Sequence, residues 1–251
     1  MSERVLLKLG GSVITDKSQG RCVINQENLD FIGRVIGRAE EQELVLVHGA
    51  GSCGHPEAKE HQLDKGLTPI HKAGIFITHR AVRNLNDAVV NTLRAHGAEA
   101  IGMHPLGAGI AQDGRLLDFE KRHITLLLQY GIIPVLHGDV VMDLSRGACI
   151  ISGDQLVSFL PRAIRIDRIG LATDVPGVLD GGRVVRRISA ASRETLNLGR
   201  SENLDVTGGM KGKIDELLRL AADGIESSIF HLSRLEDFLA AEDHGGTVVT
   251  E

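Results

Sequence analysis

The chain has 251 residues, enough for one large domain or two lobes around a substantial core. Its formal net charge of −5, its lack of a basic tract and its few aromatic residues (6 Phe, 1 Tyr, no Trp) argue against a nucleic-acid partner. Met1-Ser2-Glu3-Arg4 runs straight into a short apolar strand, which is neither a signal peptide nor a membrane span; the three widely spaced cysteines, Cys22, Cys53 and Cys149, predict reduced thiols and a cytoplasmic location.

Arg4 to Leu9 reads as a first strand, ending in Lys8-Leu9-Gly10-Gly11-Ser12, where two glycines free backbone donors beside a lysine. An extended segment from Val13 to Asp16 precedes Lys17, and turn chemistry at Ser18-Gln19-Gly20 predicts a hairpin returning through Cys22-Val23-Ile24. Asn25 can cap a helix running to about Gln42, with Leu29, Ile32, Val35 and Ile36 at helical spacing. Leu44 to Val47 is a buried strand, and it feeds His48-Gly49-Ala50-Gly51-Ser52-Cys53-Gly54-His55. That loop reads either as a tight turn with a solvated histidine or as an anion-binding loop, its amides and the next helix start aimed at a phosphate. The longest helical pattern runs from His71 to His96, with Val82, Leu85, Val89 and Leu93 as its apolar stripe; a ligand tail could lie on its flank.

Ala98 to Met103 is a third strand. Asp113-Gly114 marks a hairpin, a helix covers Phe119 to Tyr130, and Ile132 to Leu136 is a strand leaving through His137-Gly138-Asp139. A second hairpin sets Val140-Met142 against Ala148-Ile151, and Ser152 or Asp154 caps the next helix. Ile164 to Thr173 is a buried strand leading into Asp174-Val175-Pro176-Gly177, and Gly181-Gly182 marks a further hairpin. Ser189 to Asp205 is polar and loop-like, a helix follows Val206-Thr-Gly-Gly-Met-Lys-Gly-Lys213, and Ile225–Leu232 and Thr247–Thr250 are strands. The alternation predicts an α/β fold, a three-layer αβα sandwich with a mostly parallel central sheet, as one domain whose halves, 1–150 and 151–251, share that sheet.

In such sheets ligands sit beyond the carboxyl ends of strands, where the loops after Leu9, Val47, Leu136 and Thr173 fall. Gly49-x-Gly51-x-x-Gly54 matches a dinucleotide fingerprint but lacks the acidic residue about 20 positions on. Gly208-Gly209-Met210-Lys211-Gly212-Lys213 is one residue short of a P-loop and has Ile214 in place of Ser or Thr. What remains is a set of lysines at glycine loops, Lys8, Lys17, Lys211 and Lys213, with Asp154 able to hold lysines by charge pairing. Phosphoryl transfer needs such positioning and charge neutralisation more than covalent help.

Four blocks resemble the amino acid kinase superfamily, and within it the isopentenyl phosphate kinases: Lys8-Leu-Gly-Gly-Ser-Val-Ile-Thr-Asp-Lys17, Val47-His-Gly-Ala-Gly-Ser-Cys-Gly-His55, Ile151-Ser-Gly-Asp-Gln155 and Asp205-Val-Thr-Gly-Gly-Met-Lys-Gly-Lys213, joined by Thr78-His-Arg-Ala-Val-Arg-Asn-Leu-Asn86. The Gly54-His55 ending is similar to the branch that phosphorylates an existing phosphate or phosphonate. The resemblance implies ATP-dependent conversion of isopentenyl phosphate to the diphosphate in isoprenoid biosynthesis, with fosfomycin-like phosphonates or a non-catalytic nucleotide-binding role as alternatives. It implies an acceptor site in the amino-terminal half, ATP with Mg²⁺ in the carboxyl-terminal half, no protein-only metal site, and a homodimer. By matched position, Lys8, Gly10, Gly11, Ser12, Gly51, Asp174, Gly209 and Lys213 contact nucleotide, and Ala50, His55 and Gly153 contact the acceptor phosphate. Lys17 stabilises the transition state and Asp154 orients the lysines. Cys53 stands where the family usually has Phe, which implies looser packing beside the acceptor.

Overall fold

The computed structural model describes residues 2–16, 22–39, 42–193 and 209–251, without the side chains of Asp64, Gly209, Met210 and Lys211. In chain order these form β1 (Arg4–Leu9), α1 (Gly11–Ile14), β2 (Thr15–Asp16), β3 (Val23–Ile24), α2 (Gln26–Ile36), β4 (Glu43–His48), α3 (His55–Glu60), α4 (Lys72–Ala95), β5 (Ala100–Gly102), α5 (Pro105–Ala108), β6 (Gly109–Gln112), β7 (Arg115–Phe119), α6 (Lys121–Gln129), β8 (Ile133–His137), β9 (Asp139–Asp143) and β10 (Gly147–Ile151). There follow α7 (Gly153–Ala163), β11 (Arg168–Thr173), β12 (Leu179–Asp180), β13 (Arg183–Val184), β14 (Arg187–Ile188), α8 (Ala190–Arg193), α9 (Gly209–Ala221), β15 (Ser227–His231), α10 (Leu235–Leu239) and β16 (Thr247–Val249).

Eight strands form the central sheet in the order β14-β16-β15-β11-β1-β4-β8-β5. Every neighbouring pair is parallel except β15 and β16. The strands are continuous apolar runs because both faces are covered. Along β1, Val5, Leu7 and Leu9 enter one apolar layer with Leu29 and Ile32 of α2, Leu85 and Val89 of α4 and Phe238 of α10. Leu6 enters the opposite layer with Ile124 of α6, Leu156 and Leu160 of α7 and Leu217 of α9. This is the expected αβα sandwich. Two hairpins add a second sheet, β10-β9-β6-β7. The β6–β7 turn has positive φ at both Asp113 (52°) and Gly114 (81°), the twist a two-residue hairpin favours.

Several local expectations need correction. Val13 and Ile14 are not extended: Gly11–Ile14 makes one helical turn, the Val13 amide donating to the Gly10 carbonyl, before β2 pairs with β3. Asn25 does cap α2, its side chain accepting from the Asn28 amide, but the helix stops at Ile36 rather than near Gln42. Gly37 lies tight against the His96 carbonyl, and the apolar stripe ends at Ile36, so nothing rewards another turn. Residues 40 and 41 lie outside the described part. Ala190–Arg193 is a helical turn within a stretch read as loop, and α10 between β15 and β16 was not foreseen. Lys17, the turn Ser18-Gln19-Gly20, residues 194–208 and the Lys211 side chain lie outside the described residues.

The thiol expectation fails most clearly. Cys22 and Cys53 form a disulfide, and only Cys149 is a free thiol. The cysteines are 31 residues apart in sequence, but the β2–β3 hairpin brings Cys22 back over the turn Gly51–Cys53, with a Cα–Cα distance of 4.3 Å. Cys53 itself is fully buried in the apolar layer with Leu9, Val13 and Ile14.

Candidate active site

The order β11-β1-β4-β8 sets four parallel strands side by side, so their carboxyl ends open on one side of the sheet. The loops leaving these strands, with the start of α7 and Lys213 from α9, line one cleft. A concave site where a few charged groups meet apolar side chains suits a small-molecule ligand. It gathers Lys8, Gly10, Gly11, Ser12, Ala50, Gly51, His55, Gly153, Asp154, Asp174 and Lys213, all singled out from the sequence. Gly209 opens α9, and Lys17 lies outside the described residues.

The first two glycine loops are held against each other. A Cβ on Gly11 would lie 2.5 Å from the Gly51 amide nitrogen, and Gly51 adopts a φ of +55°. Neither place tolerates a side chain. These glycines therefore do more than expose amides to an anion: they let the β1 and β4 loops touch.

Three charges meet beside them. Lys8, at the end of β1 and 5% exposed, donates from Nζ to Asp154 Oδ1 at 2.5 Å. Asp154 sits in the first turn of α7, where the helix dipole favours an anion and the Ser152 side chain caps the helix by accepting from the Gln155 amide. Burial pushes the Asp154 pKa up, but the charges of Lys8 and Lys213 and the Lys8 hydrogen bond outweigh it and leave it below the ordinary value. One carboxylate thus stays ionised between two lysines. The group carries net positive charge, suited to neutralising phosphate oxygens.

His55, the first residue of α3, lines the same cleft. Beyond it the wall becomes mainly apolar, with Ala58, Val82 and Ile150. Val82 belongs to the α4 stripe, which therefore both packs the core and faces the cleft. Two lining residues escaped sequence reading. Thr78 lies one turn before Val82, 2% exposed, its hydroxyl without a hydrogen-bond partner among the described residues. Asp139 accepts from His79 Nδ1 at 2.9 Å and from the Leu106 and Val140 amides. The i, i+4 spacing of Thr78 and Val82 and the position of Asp139 after β8 were the available signals.

Beneath this wall runs a row of histidines. His48 and His137 are register partners on β4 and β8, their rings stacked 5.5 Å apart. Each lies within 3.0 Å of the next residue's carbonyl through Nδ1, so the Nε2 atoms accept, from Asn86 Nδ2 on His48 and from His104 Nδ1 on His137. Burial lowers the His48 pKa to about 4 and that of His137 well below the usual range. The unfolded chain binds these protons near the ordinary value of 6.5, so the linked stability is present above that pH and is lost as pH falls towards 4. For His48 alone, stability at pH 5 should be about 2 kcal/mol below that at pH 7. Urea unfolding at the two pH values checks this; a flat profile would mean that the row is charged or solvated.

The family model "Amino acid kinase family" matches residues 3–231. An isopentenyl phosphate kinase of Haloferax volcanii is 39% identical over 245 residues, covering 97% of this chain and 98% of the relative. That of Methanothermobacter thermautotrophicus is 36% identical, covering 98% of both. Among solved structures, one described as isopentenyl phosphate kinase superposes with a TM-score of 0.86 at 33% identity, covering 98% of this chain and all of the other.

Proposed function

The chain belongs to the amino acid kinase family, and we propose that it transfers the γ-phosphoryl group of ATP to the phosphate of isopentenyl phosphate, forming isopentenyl diphosphate. The observation that carries this reading is that the Lys8–Asp154–Lys213 group and His55 line one cleft together with the apolar Ala58, Val82 and Ile150. The near end-to-end likeness to isopentenyl phosphate kinases names the acceptor.

The chemistry follows from charge. A monophosphate has its second pKa near ~6, so at neutral pH the acceptor is already nucleophilic and needs no general base. His55 then donates a hydrogen bond to that phosphate, with the amides of Ala50 and Gly153 beside it. Lys8, Gly10, Gly11, Ser12, Gly51, Asp174, Gly209 and Lys213 hold the nucleotide, and Asp154 keeps the lysines aimed. Among the described residues no cluster of three or more acidic, histidine or cysteine side chains could cage a metal. Mg²⁺, which supplies neutralisation of phosphate charge, would therefore take its ligands mainly from the phosphates. The half before residue 151 serves mainly the acceptor and the half after it mainly the nucleotide, with Lys8, Gly10, Gly11, Ser12 and Gly51 reaching the nucleotide from the first half and Gly153 the acceptor from the second. Among the described residues no helix is long and apolar enough to cross a membrane; we place the enzyme in the cytoplasm. A homodimer is the expected assembly, supported by the edge strand β5 with Ile101 and Tyr130 exposed beside it.

An ATP-consumption assay with Mg²⁺ over a panel of acceptors tests the proposal. Isopentenyl phosphate should be converted to the diphosphate; turnover of fosfomycin alone would keep the reaction class and overturn the acceptor. Lys17→Ala should lower kcat by roughly 10²–10³-fold, the scale for loss of one transition-state donor, with a much smaller loss of ATP affinity. Intact kcat with a large loss of ATP binding would make Lys17 a ground-state nucleotide contact.

A further inference from the structure

Cys53 lies three residues after Ala50 and two before His55, inside the loop assigned to the acceptor phosphate. Two hydrogen bonds tie this loop to β2: the Ser52 amide donates to Thr15 Oγ1 at 3.0 Å, and the Ser52 hydroxyl donates to the Asp16 carbonyl at 3.2 Å. The disulfide adds a covalent tie to residue 22, beside β3, so both strands of the hairpin hold the loop. The two sulfurs differ in access: Cys22 is exposed, whereas Cys53 is fully buried. Cys149, the other cysteine, is buried, and burial with the nearby Asp143 carboxylate pushes its pKa up to about 12, so it takes little part in thiol exchange at neutral pH.

We propose that the Cys22–Cys53 pair is a redox-modification site through which thiol reductants loosen the acceptor loop and lower use of the acceptor. The reading of the loop as the acceptor site comes from the proposed function; the covalent tie and its accessibility are independent of it. A dithiol reductant attacks Cys22 Sγ as thiolate. The Cys22–Cys53 bond breaks, its electron pair leaves on Cys53 Sγ, and that sulfur takes a proton. The second thiolate of the reductant then displaces Cys22 from the mixed disulfide, and Cys22 is protonated. Two electrons pass to the protein and the reductant becomes a disulfide. Cys22 is the exposed residue of the pair and Cys53 the buried one, so attack at Cys22 gates the reaction. The reduced loop keeps its hydrogen bonds to β2 but loses the tie that holds it from the β3 side. Positioning errors of an ångström are enough to slow a transfer step, even when the displaced contact lies away from the reacting atoms.

Oxidised and reduced protein should differ in two measurements. With isopentenyl phosphate as acceptor, kcat/KM for the acceptor should fall about tenfold on reduction and recover on reoxidation, mainly through KM for the acceptor rather than for ATP. Amide hydrogen exchange of a peptide covering residues 49–60 should quicken on reduction while that of β1 and β11 does not. Cys22→Ser should behave as the reduced enzyme whether or not reductant is present, and Cys149→Ser should keep the response. Three results would each overturn the proposal: free thiols at Cys22 and Cys53 in non-reduced digests of oxidised protein, equal exchange of the loop in both states, or a reductant response that persists in Cys22→Ser. An enzyme inactive on isopentenyl phosphate in both states would instead overturn the proposed function, and the exchange measurement would still decide the redox site.

Discussion

Asp154→Asn is expected to lower kcat by about 10²–10³-fold and to destabilise the protein by about 3–5 kcal/mol. Both follow from one contact. Lys8 is 5% exposed and its ammonium donates to Asp154 Oδ1; Lys213 acts on the same carboxylate. Asn keeps the shape but removes the negative charge that Lys8 and Lys213 share, so the two lysines repel each other there. A misaimed or neutralised Lys8 cannot balance charge on the transferring phosphoryl group. Steady-state kinetics and urea unfolding of Asp154→Asn, Lys8→Met and the double variant test this. The double variant should be more stable than Asp154→Asn alone, because the repulsion between the two lysines is gone, yet it should remain inactive. An Asp154→Asn enzyme with normal kcat would remove the carboxylate from any orienting role.

His55→Ala should abolish or nearly abolish turnover, while His55→Gln should retain part of it. His55 lines the same cleft as the lysine group, at the first residue of α3. If it donates to the acceptor phosphate, alanine leaves an anionic oxygen without its partner, and glutamine supplies an amide N–H in its place. A general base could not be replaced this way, since Gln takes up no proton at neutral pH. Steady-state comparison of the wild type and the two variants, with circular dichroism to confirm folding, decides between the roles. Gln as inactive as Ala in folded protein favours the base. Wild-type rates in both variants exclude His55 from the site.

Much of the site was legible because its signals are local. Apolar runs followed by glycines, the lysine ending β1 and the Ser-Gly-Asp start of α7 are each read within a few residues, and the carboxyl-end rule for parallel sheets joined them into one crevice. Asn25 and Ser152 were read as caps for the same reason, since a cap is a contact with the next turn. Failures came where a distant neighbour decides. Val13 and Ile14 have strand-forming side chains, but the close approach of Gly11 to Gly51 turns the chain there into one helical turn. Thr78 stands outside the apolar stripe read from the sequence and yet lines the cleft beside Val82, because whether a helix face meets other side chains or a cavity depends on what lies opposite.

By itself the sequence determined the α/β class, the run of strands and helices, the lysines, glycines and His55 at strand ends, and a pattern similar to one kinase family. All of these rest on periodicity, caps and residue type, which act along the chain. Only the tertiary structure decided that β11, β1, β4 and β8 are neighbours, that Lys8 and Asp154, 146 residues apart, make one ion pair, and that His48 and His137 stack in register. It alone joined Cys22 to Cys53. The physical reason is common to all four: strand order, register and cross-links are contacts between segments far apart in the chain, and their energies come from burying both partners together, which no local window contains.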